Sequence, residues 1–104
     1  MATVHCVLGS CAIGGRAGIT RIPETAAEAA ETIASRGASQ ATTAAAPAGD
    51  EGVRFWSITA VGGNVWIKFG AAPVAASGQD WLVLDGQTRE FAATAGDKVA
   101  VIDA

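Results

Sequence analysis

Few side chains in this sequence are of types that could carry out chemistry, and the most suggestive group lies near the N-terminus. His5, Cys6 and Cys11 are all candidate metal ligands. A structural zinc site uses four such ligands, usually as two closely spaced pairs, and no second pair follows. Nucleophilic catalysis needs a Ser or Cys beside a base, but His5 is the only histidine and the sequence has no Gly-x-Ser-x-Gly elbow. We therefore predict no metal, no cofactor and no enzymatic activity.

Three carboxylates form a second candidate group. Glu24, Glu28 and Glu31 are spaced four and three residues apart, which would align them on one face of a helix. Paired carboxylates perform acid–base catalysis when their surroundings drive their pKa values apart. This alanine-rich segment offers no such burial, so we interpret the three carboxylates as a solvated acidic face.

The two cysteines allow three interpretations. On an extended chain, Cys6 and Cys11 lie roughly 16–17 Å apart on opposite faces, whereas a disulfide needs Cα atoms about 4.4–6.8 Å apart. An intrachain bond therefore requires a tight turn at Gly9. The other two interpretations are disulfides between subunits, formed after the chain leaves the reducing cytosol, and inert thiols packed as small apolar groups.

Three tryptophans could form a binding surface, because exposed tryptophans in many carbohydrate-binding β-sandwiches stack on sugar rings. Alternation over residues 65–69 places Trp66 on the face opposite to the apolar residues of that strand. Trp66 is therefore a candidate for a subunit contact or, with Trp56, for a sugar site. Core packing is the alternative for Trp56 and Trp81.

Composition limits the classes of fold and partner. The 104 residues suffice for one domain. Of the larger hydrophobic residues, 18 of 28 lie in residues 53–104, so we expect the core in that half. A net charge of −3 with scattered basic residues argues against nucleic-acid binding. No apolar run approaches the ~20 residues that span a bilayer, and the chain does not begin like a secretory signal.

The pattern along the chain predicts two parts. Residues 1–37 are expected to be an extended arm, interrupted by glycines over 1–22, with a short helix or irregular extended chain at 24–35. Residues 38–104 are expected to form an all-β domain, a small antiparallel sandwich or barrel of about six strands. Gly62-Gly63-Asn64 is typical of a hairpin turn joining two of these strands. The expected strands lie at residues 38–47, 53–61, 65–69, 81–84, 87–93 and 98–102.

Four stretches of this region carry a resemblance to a known class of protein. They are the block ASQAT at 38–42, VWIKFGAAP at 65–73 and AGDKVAVI at 95–102, with DGQTREF at 85–91 preceding the final strand. Residues 32–103 thereby resemble small accessory structural proteins of tailed bacteriophage virions. The resemblance implies a non-enzymatic capsid decoration, head-fibre or neck protein, made in the host cytoplasm and located in the virion.

Self-association is the expected working state. Eighteen larger apolar residues make a thin core for a domain of this size, and repetition about a symmetry axis would cover leftover apolar surface and strand edges. We predict a homotrimer attached to other virion proteins, with carbohydrate binding by exposed tryptophan as the alternative function. The candidate interface residues are Val4, Cys6, Val7, Leu8, Cys11, Ile13 and Trp66.

Overall fold

The computed structural model describes residues 2–14, 20–23, 27–47 and 54–104, with residues 12–14 and 20–23 described by their backbone. Within these ranges the chain forms nine strands and no helix, and every strand pair is antiparallel. The predicted antiparallel β-sandwich is confirmed. The strands are β1 (Thr3–Gly14), β2 (Thr20–Pro23), β3 (Ala29–Ala34), β4 (Gln40–Ala41), β5 (Arg54–Val61), β6 (Val65–Gly70), β7 (Trp81–Val83), β8 (Thr88–Ala92) and β9 (Lys98–Asp103).

The first sheet is built around β1. On one side, β5 pairs with residues 3–10 of β1, and β8 pairs with β5 beyond it. On the other side, β3 and β2 pair with successive parts of β1, at residues 3–8 and 11–14. The first sheet therefore contains five strands. Over residues 3–8, β1 is an interior strand with β3 on one side and β5 on the other.

This position of β1 overturns the predicted N-terminal arm. Strand alternation points Val4, Cys6 and Leu8 into the sandwich, and all three are buried. Burying such side chains is worth roughly 1.5–3 kcal/mol each, a gain that a free arm would lack. The boundary expected at residue 37 is thus wrong, because the core contains residues from both sides of it.

The helix considered for residues 24–35 is also wrong over residues 29–34, which form β3. Pairing with β1 supplies hydrogen bonds along the whole strand, and it places Ile33 against the core. An isolated alanine-rich helix would have no comparable packing. Residues 24–26 lie outside the described ranges.

The second sheet has the order β4-β9-β6-β7. Alternation points Val65 and Ile67 of β6 inward, opposite Val83 of β7 and Val101 of β9, and all four side chains are fully buried. The inner faces of the two sheets meet around Trp56, which is 0% exposed. The core therefore combines the N-terminal strand with the aromatic and β-branched strands that follow.

The turn at Gly62-Gly63-Asn64 is a corner, not the predicted hairpin. Gly62 has a φ of 93°, as expected for a glycine that reverses the chain. However, β5 belongs to the first sheet and β6 to the second, so the chain crosses the sandwich here. Asp85-Gly86 makes a similar crossing from β7 to β8, with a φ of 79° at Gly86.

Two polar side chains hold the open sides of the sandwich closed. Next to β4, Glu31 of β3 accepts hydrogen bonds from the backbone N–H groups of Thr43 (2.9 Å) and Ala44 (2.7 Å). On the opposite side, Arg89 of β8 donates to the carbonyl of Leu82 (3.2 Å). Both strands lie at an edge of the first sheet, and both charged side chains point inward.

Candidate functional site

The predicted interface residues of β1 separate into two groups. Val4, Cys6 and Leu8 are part of this chain's own core, so their assignment to an interface is wrong. Val7 lies on the outer face of the first sheet and is half-buried. Ile13 pairs with Arg21 of β2, and its side chain is not among those described.

The environment of Cys6 excludes its predicted disulfide to another subunit. Cys6 is 0% exposed, and burial, with the nearby Glu31 carboxylate as a second cause, raises the pKa of its thiol to about 12. Both cysteines are free thiols. They lie five residues apart on one continuous strand, so alternation puts them on opposite faces and prevents an intrachain bond. A disulfide between copies stays a prediction for Cys11 alone, which is half-buried.

Residues 11–14 and 20–23 form a two-stranded ribbon that continues the first sheet. Four backbone pairs join its strands, from Cys11 opposite Pro23 to Gly14 opposite Thr20. Among the described residues, β5 reaches only as far as Ser10 of β1, and β3 only as far as Leu8. The contact of residues 1–22 with another subunit stays a prediction for the ribbon, since residues 3–8 of the predicted arm belong to the first sheet.

An aromatic cluster containing Arg89 lies between the edges of the two sheets. The ring of Phe91 is 5.0 Å from that of Phe69 and 5.6 Å from that of Trp81, measured between centroids. The guanidinium carbon of Arg89 lies 5.0 Å from the centroid of Trp81 and 5.4 Å from that of Phe91. A cation at this distance from an aromatic face is attracted by the ring quadrupole. The cluster closes this side of the core, yet Trp81 remains 47% exposed.

The structure reorders the tryptophan candidates. Trp56 is fully buried opposite Leu8, so its proposed part in sugar binding is wrong. Trp81, for which core packing was the alternative, is the most exposed of the three at 47%. Its place directly after a loop, at the start of a short strand, is the one signal in the sequence that favours exposure.

Trp66 lies on the outer face of the second sheet, as predicted, and is half-buried there. Ala100 on the same face is fully buried, so this face has a cover. The loop at residues 71–80 is positioned to provide it, because Ala75 is buried and its N–H donates to Ser39 Oγ beside β4 (2.9 Å).

The remaining chemical candidates are dispersed. His5 is exposed on the outer face of the first sheet, with its Nδ1 3.5 Å from Thr32 Oγ1. Glu28 forms an ion pair with Arg54 (2.7 Å), Glu31 points into the sandwich, and Glu24 is outside the described residues. Within the described ranges, no three His, Cys, Asp or Glu side chains come together in a way that could hold a metal ion.

Compared with known proteins, the chain matches no family model, no curated protein and no solved structure. The part of the chain that the structure describes contains no helix long and apolar enough to cross a membrane. Conclusions about function therefore depend on the geometry above and on the residues that carry the sequence resemblance.

Proposed function

We propose that this chain is a non-enzymatic structural protein of a bacteriophage virion, a capsid decoration or head or neck accessory that binds copies of itself and other virion proteins. The observation that carries the proposal is the ribbon at the end of β1. The sequence resemblance over residues 32–103 supports the same class of function, and it implies synthesis in the host cytoplasm.

The ribbon is an element that needs a partner. An isolated two-stranded hairpin is marginally stable at best in water, and the four backbone pairs of the ribbon are close to that minimum. The twelve residues of β1 span about 40 Å at ~3.4 Å per residue, and the molecule measures 45 Å along its long axis against 26 and 22 Å across. A ribbon that extends β1 beyond its described pairing with β3 and β5 is well placed to reach a neighbouring protein.

The polar side chains with the best-defined partners support a structural role. Ser35 is fully buried, and its hydroxyl accepts a hydrogen bond from the Ala2 N–H (2.7 Å) and donates one to Asp103. It thereby ties together residues near both ends of the described chain. Glu31 is likewise used to hold backbone N–H groups. The oxygen atoms of both side chains are thus used in hydrogen bonds that stabilise the fold.

Replacing residues 11–26 with Asn-Gly tests this function. β1 and β3 are paired as far as Leu8 and Ala29, so a tight turn can join them once residues 11–26 are removed, and Asn-Gly suits such a turn. We expect the shortened protein to remain folded and to be lost from phage particles. Val74→Ser, at a loop side chain that is 68% exposed, is the matched control and should be incorporated normally. Incorporation of the shortened protein at the wild-type copy number would contradict the proposal.

Carbohydrate binding is the second candidate function, and the exposure of Trp81 favours it. A half-exposed indole that is held in place by contacts with Phe91 and Arg89 is a suitable platform for a sugar ring. In a glycan-array experiment, this candidate requires binding that Trp81→Ala abolishes and Trp66→Ala retains. Absence of binding by the wild-type protein across the array would eliminate it.

A further inference from the structure

Among the described residues the two sheets present five edge strands, and besides the four-residue β2 of the ribbon there are four that differ in length and in protection. β4 and β7 have two and three residues, too few for an extended pairing. β8 has five residues and carries both Arg89 and an exposed Glu90. β3, at six residues, is the longest of the four. An unpaired strand of that length is a template for pairing with another chain.

The hydrogen-bond phase of β3 identifies its free backbone groups. The Ser35 N–H donates to the Ala2 carbonyl (2.8 Å), so the backbone groups of Ser35 point toward β1. In an antiparallel pair this direction alternates from one residue to the next. The N–H and C=O groups of Ala30, Thr32 and Ala34 therefore point away from β1, and no described strand pairs with that side. All three residues are exposed.

β3 carries only one of the devices that normally block edge pairing. Natural edge strands carry lysine or proline, a bulge, or a charge that points into the core. Glu31 is a charge of the last kind, but its carboxylate is already bound by the N–H groups of Thr43 and Ala44, and β3 has no lysine or proline and a continuous register with β1. The residues that carry the outward backbone groups are two alanines and a threonine. Their small side chains allow another strand to approach closely.

We propose that β3 pairs antiparallel with β3 of a second copy of this chain, about a two-fold axis at Thr32. Centring the pairing on Thr32 uses all three outward residues, with Thr32 opposite Thr32 of the second copy and Ala30 opposite its Ala34. Three pairs of this kind make six backbone hydrogen bonds and join the two first sheets into one. This inference specifies the surface for the self-association in the proposed function.

The side chains are complementary in this register. On the inner face, Glu31 lies opposite Ile33 of the second copy, so the two carboxylates are not directly opposed. On the outer face, Thr32 meets its own copy, and threonines opposite each other can hydrogen-bond. The same sheet already contains such a pair, since the hydroxyls of Thr59 and Thr88 are 2.7 Å apart. An antiparallel strand pairs with its own copy only across a two-fold axis, so this edge predicts a dimer in place of the trimer expected from composition.

Introducing a charge at the two-fold axis tests the inference in solution. Sedimentation equilibrium of the wild-type protein should show a concentration-dependent dimer. Thr32→Lys and Thr32→Glu each place like charges opposite each other, and each should raise the dimer dissociation constant about tenfold. An equimolar mixture of the two variants should restore dimers. Thr88→Lys is the matched control, because Thr88 has the same outward phase and face on β8.

A cross-linking experiment tests the register and does not depend on how a charged variant folds. Residues directly opposite each other in a hydrogen-bonded pair have Cα atoms about 5.5 Å apart, within disulfide range. With Cys11 replaced by alanine, Thr32→Cys should therefore form a disulfide-linked dimer on oxidation. Ala30→Cys should not, because residue 30 faces residue 34 and lies four positions, about 13 Å, from its own copy.

A wild-type protein that stays monomeric up to its solubility limit, or a Thr32→Lys variant that dimerises like wild type, would overturn the inference. Equal cross-linking at positions 30 and 32 would refute the register. The failure of the proposed function has a different signature. A solution dimer that never enters phage particles would refute the virion role and leave the edge pairing intact.

Discussion

Shortening Leu8 to alanine tests directly whether the N-terminal strand belongs to the core. Leu8 is 2% exposed and lies opposite Trp56 in the pairing of β1 with β5. If residues 1–22 were an arm that contacts other subunits, this substitution would leave the stability of the isolated chain unchanged. The structure predicts instead a cavity at the centre of the first sheet.

The size of the effect follows from the burial of Leu8. Replacing a buried leucine with alanine costs about 2–5 kcal/mol, because the lost transfer energy is increased by the cavity that remains. A domain of this size has a free energy of unfolding of roughly 5–15 kcal/mol. A loss of about 3 kcal/mol lowers the Tm by about 12–24 °C, at ~4–8 °C per kcal/mol for a domain of this length.

Thermal unfolding followed by circular dichroism, with urea denaturation as a second measurement, gives both quantities. Val7→Ala is the control, since Val7 is the next residue of the same strand on the outer face and is half-buried. It should cost less than Leu8→Ala by at least ~1 kcal/mol. A Leu8→Ala protein that melts within a degree or two of wild type would refute the placement of β1 in the core.

Two further predictions concern polar groups inside the sandwich. Because the pKa of Cys6 is raised to about 12 in the folded protein from an ordinary 9.0, the unfolded chain binds fewer protons between these values. The stability contributed by the neutral thiol is therefore complete below pH 9 and declines as the pH rises toward 12, by at most ~1.4 kcal/mol per pH unit. Tm measured from pH 8 to 10.5 should fall less steeply for Cys6→Ala than for wild type, and parallel curves would contradict this reasoning. Glu31→Ala leaves the N–H groups of Thr43 and Ala44 without their acceptor and should lower the free energy of unfolding by about 1–3 kcal/mol in urea titrations. Glu90→Ala, at an exposed position of the opposite edge, should change it by less than ~0.5 kcal/mol, and equal effects of the two would refute the role of Glu31.

The sequence predicts the strands of the C-terminal half well, because turn residues bound them and their side chains alternate. Val65 and Ile67 point inward and Trp66 outward, as the alternation indicates. The partners of these strands could not be predicted in the same way. A glycine with positive φ, such as Gly62, shows that the chain reverses direction, but it does not show which sheet the next strand joins.

In the N-terminal half, local composition and side-chain alternation predict different structures, and the alternation agrees with the observed strand. Polar and apolar side chains alternate from Thr3 to Cys6, and only Val7 breaks the pattern. Such alternation is the signature of a half-buried strand. The glycines beyond it favoured a flexible arm. For residues 29–34, alanine content favours a helix, whereas pairing with β1 determines the outcome. Such tertiary pairing overrides a propensity of a few tenths of a kcal/mol per residue.

The prediction of the candidate sites had similar limits. Exposure of Trp81 depends on its strand lying at an edge of the second sheet, which the sequence does not specify. Burial of Cys6 depends on two neighbouring strands, β3 and β5, that cover β1 from both sides. In each case the sequence identifies a residue of the right chemical type, but the order of the strands in the sheets determines whether its side chain is accessible.

The way this small sandwich closes its core also explains why one edge is left available. With few large apolar residues, both open sides are closed by charged side chains directed inward, Glu31 from β3 and Arg89 from β8. On β8, Glu90 still points outward and protects the edge. On β3, Glu31 is the only charge, so the outer face of this strand carries only alanine and threonine side chains. Because β2 pairs with the same side of β1 as β3 does, the β3 edge and the ribbon lie on one side of the molecule, where a single neighbouring subunit could contact both.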